Sequence, residues 1–295
     1  MISTRSLTKR YRDAVALDEV DLNVAPGSIY GLAGPNGAGK TTLLGILAGL
    51  RRPTSGEVTL GTSPGEVAVL PDTPRFDPWL TGREVVVLAQ SLVAPDLDRA
   101  DEVLADTGLT DAAGRRVGGY SRGMLQRLGL AATLVGRPRL LLLDEPASAL
   151  DPGGRREVLD LIARLRGSAT VLFSSHILAD VQEVCDTVGI LDRGRLLFEG
   201  PIEDLLVGSA IPRYVVRLRG EAETVAARLR KAPWVVSVDS EVDGLVSVEV
   251  TSLAEAESKL PRALADAKAS VVSYAPEEVS LERAFLELTG GGKRR

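Results

Sequence analysis

The sequence predicts an α/β protein with a parallel sheet at its core and a second, smaller α+β domain after it. Three continuous apolar runs, "SIYGLAG" (28–34), "LLLLDEP" (140–146) and "ATVLFSS" (169–175), are typical of parallel strands that are covered on both faces. At 295 residues, with 44% apolar and 25% charged residues, the chain has the composition of a globular protein and the length for two domains.

The first domain, residues 1–207, is expected to carry two additions to its parallel sheet. "SGEVTLG" (55–61) alternates like a half-exposed antiparallel strand, which indicates an antiparallel β subdomain at the front. Residues from about 75 to 135 are mostly helical in pattern, with breaks at Pro95 and Gly108, and this predicts a helical subdomain before "LLLLDEP".

The second domain, residues 211–290, has the order of elements β-α-β-β-α-β, which is the ferredoxin-like pattern. "WVVSVDSEVDGLVSVEV" reads as a hairpin that turns near Asp243 and Gly244. Pro261 is expected to kink or restart the second helix. The apolar stripe of the last helix, "SLERAFLEL", predicts that it packs on another surface, and the tail at 291–295 is expected to be disordered.

Composition limits the classes of function. The net charge of −5 argues against a nucleic-acid partner, since phosphate backbones require basic faces. The single cysteine, Cys185, cannot form an internal disulfide, which favours a reducing compartment. The N-terminus lacks the apolar core of a signal peptide, and apolar stretches such as 85–94 are too short to span a membrane. We therefore expect a cytoplasmic protein that reaches a membrane only through a partner.

The stretch "GPNGAGKTT" (34–42) predicts a phosphate-binding loop. It fits the pattern G-x-x-x-x-G-K-[ST], follows a predicted strand and precedes the helical run "TLLGILAGL". Glycines let backbone N–H groups surround a phosphate, and the helix N-terminus adds its positive end. Lys40 is expected to reach the β- and γ-phosphates and Thr41 to ligate magnesium. A glycine-rich turn that matches by chance is the alternative, which the strand–loop–helix order disfavours.

A pair of carboxylates follows the strand "LLLL". Asp144 is placed to hold magnesium, and Glu145 is placed to orient or deprotonate an attacking water. Both lie at the carboxyl end of their strand, where the ligands of parallel sheets bind. On its own such a pair would more often cap a helix, but a phosphate-binding loop upstream reverses that preference.

These motifs resemble those of the ATP-binding cassette (ABC) ATPases, and the resemblance covers residues 2–207. "GGYSRGMLQRL" (118–128) is similar to the family's signature, and "SALD" (148–151) is similar to its D-loop. His176, the only histidine of the chain, matches the family's switch histidine. Tyr11 stands where the family has an aromatic residue that stacks on adenine. All the motifs occur in the family's order.

The resemblance implies a P-loop NTPase fold with ATP and Mg²⁺ as cofactors. It implies that Lys40, Glu145 and His176 organise hydrolysis. The implied nucleotide-binding residues are Tyr11, Gly34, Pro35, Asn36, Gly37, Ala38, Gly39, Lys40, Thr41 and Thr42. The implied metal ligands are Thr41 and Asp144, with Asp72 as a third candidate. In the family, signature and D-loop residues act on the nucleotide of a second cassette. The matching signature residues are Ser121, Arg122 and Gly123, and the matching D-loop residue is Asp151.

Two parts of the sequence depart from the family pattern. The signature is usually Leu-Ser-Gly-Gly-Gln, and this chain has Tyr120, Arg122 and Met124 at its first, third and fifth positions. Asp72 stands where the family has the Q-loop glutamine, and it is one methylene shorter and charged. The segment "GTSPGEVAVLP" before Asp72 is short, which implies a trimmed antiparallel subdomain.

The resemblance implies the ATP-hydrolysing subunit of a transporter, held at the cytoplasmic face of the membrane. Its implied partners are a second, identical cassette and a separate transmembrane permease that docks near residues 74–90. The stretches "LDRGRLLFEGP" and "SLERAFLELTG" resemble ATPases that serve exporters of drugs or antibiotics, in which a C-terminal module regulates or stabilises the dimer. Export of ions, polysaccharide or lipid is an alternative.

The second hypothesis is a soluble ABC ATPase that acts in translation, DNA repair or cofactor assembly. Translation factors of the family usually carry two cassettes, and DNA-repair relatives contain long coiled coils; this sequence has one set of motifs and no sustained heptads. A third hypothesis, a nucleotide-binding module without catalysis, is weakened because Glu145 and His176 are both present.

Overall fold

The structure is a computed structural model that describes residues 1–208, 212–220, 222–240, 244–277 and 281–288. Two predictions fall outside these residues: the disordered tail at 291–295 and Asp243 of the predicted hairpin turn. Gly244, the other residue of that turn, has a φ of 77°, in the left-handed region that glycine adopts without strain.

The first part of the chain alternates strands and helices. In chain order its elements are β1 (Ile2–Tyr11), β2 (Ala14–Val24), β3 (Ile29–Ala33), α1 (Lys40–Leu47), β4 (Ser55–Leu60), β5 (Val67–Leu70), α2 (Gly82–Val93), α3 (Ala100–Asp106), α4 (Arg122–Leu134), β6 (Leu140–Asp144), α5 (Pro152–Arg164), β7 (Thr170–Ser175), α6 (Leu178–Val184), β8 (Thr187–Asp192) and β9 (Arg195–Pro201).

A six-stranded sheet of order β5-β6-β7-β3-β8-β9 forms the core of this part. Its strands are parallel except at β9, which pairs antiparallel with β8. Every residue of β3, β6 and β7 is buried, because these are the apolar runs that the sequence assigns to strands covered on both faces. The predicted α/β fold with a parallel core is confirmed.

A separate antiparallel sheet of order β2-β1-β4 forms the predicted front subdomain. β1 and β2 are long strands that the sequence pattern did not define. Their pairing shifts register between Thr4 and Leu7, and Ser6 and Glu19 have positive φ angles of 46° and 51°. Such irregularities interrupt the alternation of inward and outward residues by which a strand is recognised.

The predicted helical subdomain consists of α2, α3 and α4. Thr81 caps α2: its hydroxyl accepts from the Glu84 backbone N–H, and the Glu84 carboxylate accepts from the Thr81 backbone N–H. Ser121 caps α4 by accepting from the backbone N–H of Met124 at 3.2 Å. Among the described residues, none of the helices combines the length and the apolar character that a membrane span requires.

The chain divides into two compact units, Met1–Asp204 and Leu205–Glu287. The division falls inside α7 (Ile202–Gly208), a few residues before the boundary that the sequence predicts after residue 207. The remaining elements are β10 (Arg213–Leu218), α8 (Ala222–Leu229), β11 (Val235–Ser240), β12 (Leu245–Val250), α9 (Leu253–Asp266), β13 (Val271–Pro276) and α10 (Leu281–Leu288).

The second unit is built on an antiparallel sheet of order β11-β12-β10-β13. The order of elements from β10 to β13 is the predicted β-α-β-β-α-β, and the ferredoxin-like assignment stays a prediction. Alternate residues of β10 and β12, among them Val216 and Val248, are buried in one cluster with Leu260 of α9. α9 runs unbroken across Pro261, so the predicted restart there is wrong; the buried side chains of Ala256, Leu260 and Leu264 hold both halves of the helix.

Candidate active site

A cavity of about 380 Å³ opens where four neighbouring parallel strands end. Each strand is followed by residues of its wall: β3 by the phosphate-loop residues, β5 by Asp72, β6 by Glu145 and β7 by His176. The wall consists of Ala16, Pro35, Asn36, Gly37, Ala38, Gly39, Lys40, Thr41, Thr42, Asp72, Glu145, Ser148 and His176. The cavity therefore gathers most of the residues that the sequence assigns to nucleotide binding and catalysis.

The phosphate loop requires glycine at its two ends. A Cβ atom on Gly34 would lie 2.2 Å from the carbonyl oxygen of Leu191. Gly39 precedes α1 with a φ of 111°, and a Cβ atom there would lie 2.5 Å from the carbonyl oxygen of Ala16. The loop is thus packed against β8 and β2. The first residues of α1 line the cavity, and the first N–H groups of a helix have no intrahelical acceptors.

The Lys40 ammonium group is held inside the loop. Its side chain is only 6% exposed, and Nζ donates to the carbonyl oxygens of Gly34 at 2.7 Å and Pro35 at 3.3 Å. Nζ also lies 3.4 Å from Oε1 of Glu145. Burial strengthens this charge pair relative to one in water, so Lys40 presents a fixed positive charge at the base of the cavity.

Ser174 links the two carboxylates that follow β6. The register of β6 and β7 pairs Asp144 with Ser174. The fully buried Ser174 hydroxyl donates to Oδ1 of Asp144 at 2.6 Å and accepts from the backbone N–H of Glu145 at 3.0 Å. No sequence motif marks Ser174, which stands at the end of an apolar run; its pairing with Asp144 depends on the strand register.

Glu145 adopts a backbone conformation that its residue type disfavours. Its φ is 50°, in the left-handed region that costs a non-glycine residue of order 1 kcal/mol. Its carbonyl oxygen accepts from the Ser148 backbone N–H at 3.2 Å and from Nε2 of Gln126 at 3.4 Å. With the bond to Ser174, these contacts hold the turn that directs the Glu145 side chain into the cavity.

The Glu145 carboxylate lies between the two other predicted catalytic groups. Oε2 is 2.8 Å from Nδ1 of His176, and Oε1 faces Lys40. The Glu145 side chain is 11% exposed, whereas that of His176 is 40% exposed at the mouth of the cavity. The arrangement presents an oriented carboxylate beside an imidazole and an ammonium group, as proton abstraction from a water beside a phosphate requires.

Two of the predicted magnesium ligands, Thr41 and Asp72, line the cavity wall. The third, Asp144, is buried behind the wall, directly before Glu145. These oxygen groups fit a magnesium ion that arrives with a nucleotide. The described residues contain no group of three or more His, Cys, Asp or Glu side chains that forms a metal site. Mg²⁺ commonly takes one or two protein oxygens and completes its shell with water and substrate phosphates.

The three signature residues and Asp151 of the D-loop lie apart from this cavity. Ser121, Arg122, Gly123 and Asp151 line a second cleft of about 730 Å³, beside α4 and the N-terminus of α5. Asp151 caps α5 by accepting from the Gly154 backbone N–H at 3.0 Å. The structure does not bring these residues to the phosphate loop of the same chain.

Tyr11, the predicted adenine-stacking residue, does not belong to the cavity wall. It ends β1 and is 42% exposed, with Nζ of Lys9 4.9 Å from the centre of its ring. Its hydroxyl accepts from Nη1 of Arg51 at 2.9 Å. The stacking role of Tyr11 stays a prediction. Two wall residues have no predicted role at this cavity: Ala16, and Ser148 at the start of the D-loop.

Comparison with known proteins identifies the family to which the chain belongs. A sequence profile of the ABC transporter family matches residues 17–148. The chain is 36% identical to the daunorubicin resistance ATP-binding protein DrrA3 of Streptomyces coeruleorubidus, over 99% of this chain and 97% of the relative. It is 33% identical to the bacitracin transport ATP-binding protein BcrA of Bacillus licheniformis, over 99% and 98%.

Among solved structures, the chain is similar to a dimeric ATP-binding cassette in a post-hydrolysis state, bound to ADP and phosphate. The TM-score is 0.63 at 25% identity, and the match covers 68% of this chain and 99% of that one. The matched part thus takes in a complete cassette of the known kind. The chain belongs to the ABC transporter family, as an ATP-hydrolysing cassette.

Proposed function

We propose that this chain powers a separate membrane permease that exports drugs, antibiotics or related solutes. The observation that carries the proposal is the convergence of Lys40, Glu145 and His176 in one cavity, with the Glu145 carboxylate in contact with both other groups. The solute class rests on the relatives, which are named for daunorubicin resistance and bacitracin transport and align with nearly the whole chain.

The phosphate loop binds the triphosphate of ATP in this mechanism. The N–H groups at the start of α1 donate to the phosphate oxygens, and Lys40 offsets their charge. When bound, Mg²⁺ supplies further positive charge against the negative charge that develops on the transferred group. Thr41 of the wall and the buried Asp144 would hold it. Asp72 is a third candidate ligand from the cavity wall.

Glu145 acts on the attacking water. Its carboxylate accepts a proton from that water as the water oxygen bonds to the γ-phosphorus and the bond to the bridging oxygen of ADP breaks. Since Oε2 of Glu145 lies 2.8 Å from Nδ1 of His176, the imidazole fixes the direction of the carboxylate. The products are ADP and inorganic phosphate.

A second copy of the chain completes the site in this proposal. Ser121, Gly123 and Asp151 line a cleft separate from the nucleotide cavity, so they reach ATP only if it belongs to another subunit. A head-to-tail pair places each signature opposite the phosphate loop of the partner. The similarity to a dimeric cassette supports this arrangement.

The permease docks, we propose, on an apolar groove beside α2. This groove of about 390 Å³ is lined by residues of β5, the loop after it and α4, including Leu70, Pro74 and Phe76. On α2, Leu88 and Leu92 are exposed, Leu92 by 77% of its surface. Exposed apolar side chains next to an apolar groove mark a protein interaction surface, and docking there would hold the chain at the cytoplasmic face of the membrane.

The Glu145→Gln variant tests the catalytic part of the proposal. It keeps the size of the side chain but removes the base, so ATP turnover should fall by about 100-fold or more. The variant should bind ATP and form a stable dimer in sedimentation experiments with ATP and Mg²⁺. Glu57→Gln, which makes the same change at an exposed glutamate outside the cavity, is the control and should keep normal turnover. Ordinary turnover of Glu145→Gln would contradict the assignment.

Co-purification tests the proposed binding of this chain to a membrane permease. Membranes of the source cells should retain the wild-type chain together with a hydrophobic membrane protein, and Leu92→Asp should release it. Leu50→Asp, at an equally exposed leucine outside the groove, should remain bound. Recovery with ribosomes in place of membranes would contradict the transport function.

A further inference from the structure

Asp72 adds an unpaired negative charge to the nucleotide cavity. The residue is exposed in the wall, and its carboxylate accepts a long hydrogen bond of 3.4 Å from the Thr73 hydroxyl. Lys40, the lysine of the same wall, is already in contact with Glu145. In the part of the chain that the structure describes, Asp72 has no ion pair. A triphosphate that enters this cavity therefore meets two carboxylates and one ammonium group.

Arg122 is an unpaired positive charge in the signature cleft. It is the first residue of α4 and is exposed, directly after the Ser121 cap. Arg127 of the same cleft forms an ion pair with Glu157 at 2.8 Å, but within the described ranges Arg122 takes part in none.

We propose that Arg122 of one copy enters the nucleotide cavity of a second copy and offsets the charge of Asp72 there. The inference rests on the head-to-tail dimer of the proposed function. Within one chain the two residues line different cavities, and neither has a partner of opposite charge among the described residues. The dimer brings the signature of one copy to the cavity of the other, so the unpaired carboxylate of Asp72 and the unpaired guanidinium of Arg122 meet at the same interface.

The guanidinium group of Arg122 and the carboxylate of Asp72 suit a dimer interface. A guanidinium group has five N–H donors in a planar fork, so Arg122 is able to bond a carboxylate and a phosphate oxygen at the same time. Formation of the dimer interface removes water, which strengthens the attraction between Arg122 and Asp72. When Arg122 is absent, the same loss of water strengthens the repulsion between Asp72 and ATP. The two departures from the family pattern then act as one compensating pair.

A double-mutant cycle in the Glu145→Gln background tests the pair. The four proteins are the background itself, Asp72→Asn, Arg122→Gln and the combination of both changes. The dissociation constant of the dimer is measured by sedimentation at saturating ATP and Mg²⁺. When Asp72 is present, Arg122→Gln should raise the dissociation constant of the dimer about tenfold or more, which corresponds to about 1.4 kcal/mol. In the protein that already carries Asp72→Asn, the same change should raise it less than about threefold.

Further variants separate a charge effect from a structural one. Arg122→Lys keeps the charge and should retain most of the dimer affinity, and high salt should reduce the difference between the background protein and Arg122→Gln. Arg164→Gln removes an exposed arginine that lines neither cavity, and it should leave the dimer unchanged. Unaltered thermal midpoints and ATP binding of the monomers establish that each variant folds.

The outcomes distinguish this inference from the proposed function. If Glu145→Gln forms an ATP-dependent dimer but Arg122→Gln weakens it equally with and without the Asp72→Asn change, the charge pair is refuted and the composite site remains. If Glu145→Gln stays monomeric in ATP and Mg²⁺, the head-to-tail site itself is refuted, and the pair with it.

Discussion

Replacement of Ser174 by alanine should lower both the stability of the cassette and its turnover. The Ser174 hydroxyl is fully buried and makes two hydrogen bonds, one to the Asp144 carboxylate at 2.6 Å and one from the Glu145 N–H at 3.0 Å. A bond to a charged group contributes about 1.5–3 kcal/mol and a neutral one about 0.5–1.5 kcal/mol, so Ser174→Ala should cost about 2–4 kcal/mol.

The assay combines thermal unfolding with ATPase measurements. A loss of that size should lower the thermal midpoint by roughly 4–16 °C. Turnover, measured well below both midpoints, should fall about tenfold or more, because the Glu145 turn with its positive φ loses a bond that holds it. ATP binding should change less, since Lys40 is held by the carbonyl oxygens of the phosphate loop and by Glu145.

Thr170→Val is the matched control. Thr170 is a buried residue at the other end of β7, where its hydroxyl oxygen accepts from the Gly27 N–H at 2.9 Å. Loss of this one neutral bond should lower the midpoint by only roughly 1–6 °C and leave turnover within about twofold. A Ser174→Ala protein that behaves like Thr170→Val in both measurements would refute the role given to Ser174.

Three further predictions concern the loop, a helix cap and a proline. Gly34→Ala places a methyl group 2.2 Å from the Leu191 carbonyl oxygen, so ATP affinity measured by calorimetry should fall strongly, whereas Gly65→Ala, with no atom within 4 Å, should bind normally. Hydrogen bonds from the backbone and side chain of Thr81 hold the pKa of Glu84 below its usual value. The pKa of Glu84 is lower in the folded protein than in the unfolded chain. Ionised Glu84 therefore stabilises the folded protein above the unfolded-state pKa of about 4.3, and this contribution disappears as pH falls through the folded-state pKa. The difference in thermal midpoint between wild type and Glu84→Gln should therefore shrink between about pH 6 and about pH 3, and a constant difference would contradict this. Pro261 lacks an N–H inside α9, so Pro261→Ala should stabilise the second unit by about 1–3 kcal/mol. Urea titrations followed by the fluorescence of buried Trp234 measure this gain. No gain would show that the helix already accommodates the proline ring.

The sequence was sufficient to predict that the three proposed catalytic residues lie together, because each of them follows a strand end. The apolar runs identify β3, β6 and β7 as buried parallel strands, and such strands end at a common edge. Lys40, Glu145 and His176 each come shortly after one of these ends, so their convergence follows from local pattern alone.

The contacts that hold this centre depend on information that a local pattern does not contain. Ser174 meets Asp144 through the register of β6 and β7, and Gln126 reaches the Glu145 carbonyl oxygen from α4. Tyr11 lies outside the cavity wall, where its ring packs under Lys9 and its hydroxyl binds Arg51. Each of these depends on how distant segments approach one another, which the spacing of residues along the chain leaves open.

The contact between Glu145 and the single histidine gives this protein a built-in spectroscopic reporter. Since the chain contains one imidazole, every histidine signal in a proton magnetic resonance spectrum comes from the mouth of the catalytic cavity. Addition of ADP, of ATP or of a phosphate analogue should shift that one signal in different ways. The occupancy of the centre becomes readable in the native chain, without isotopic assignment and without a foreign label.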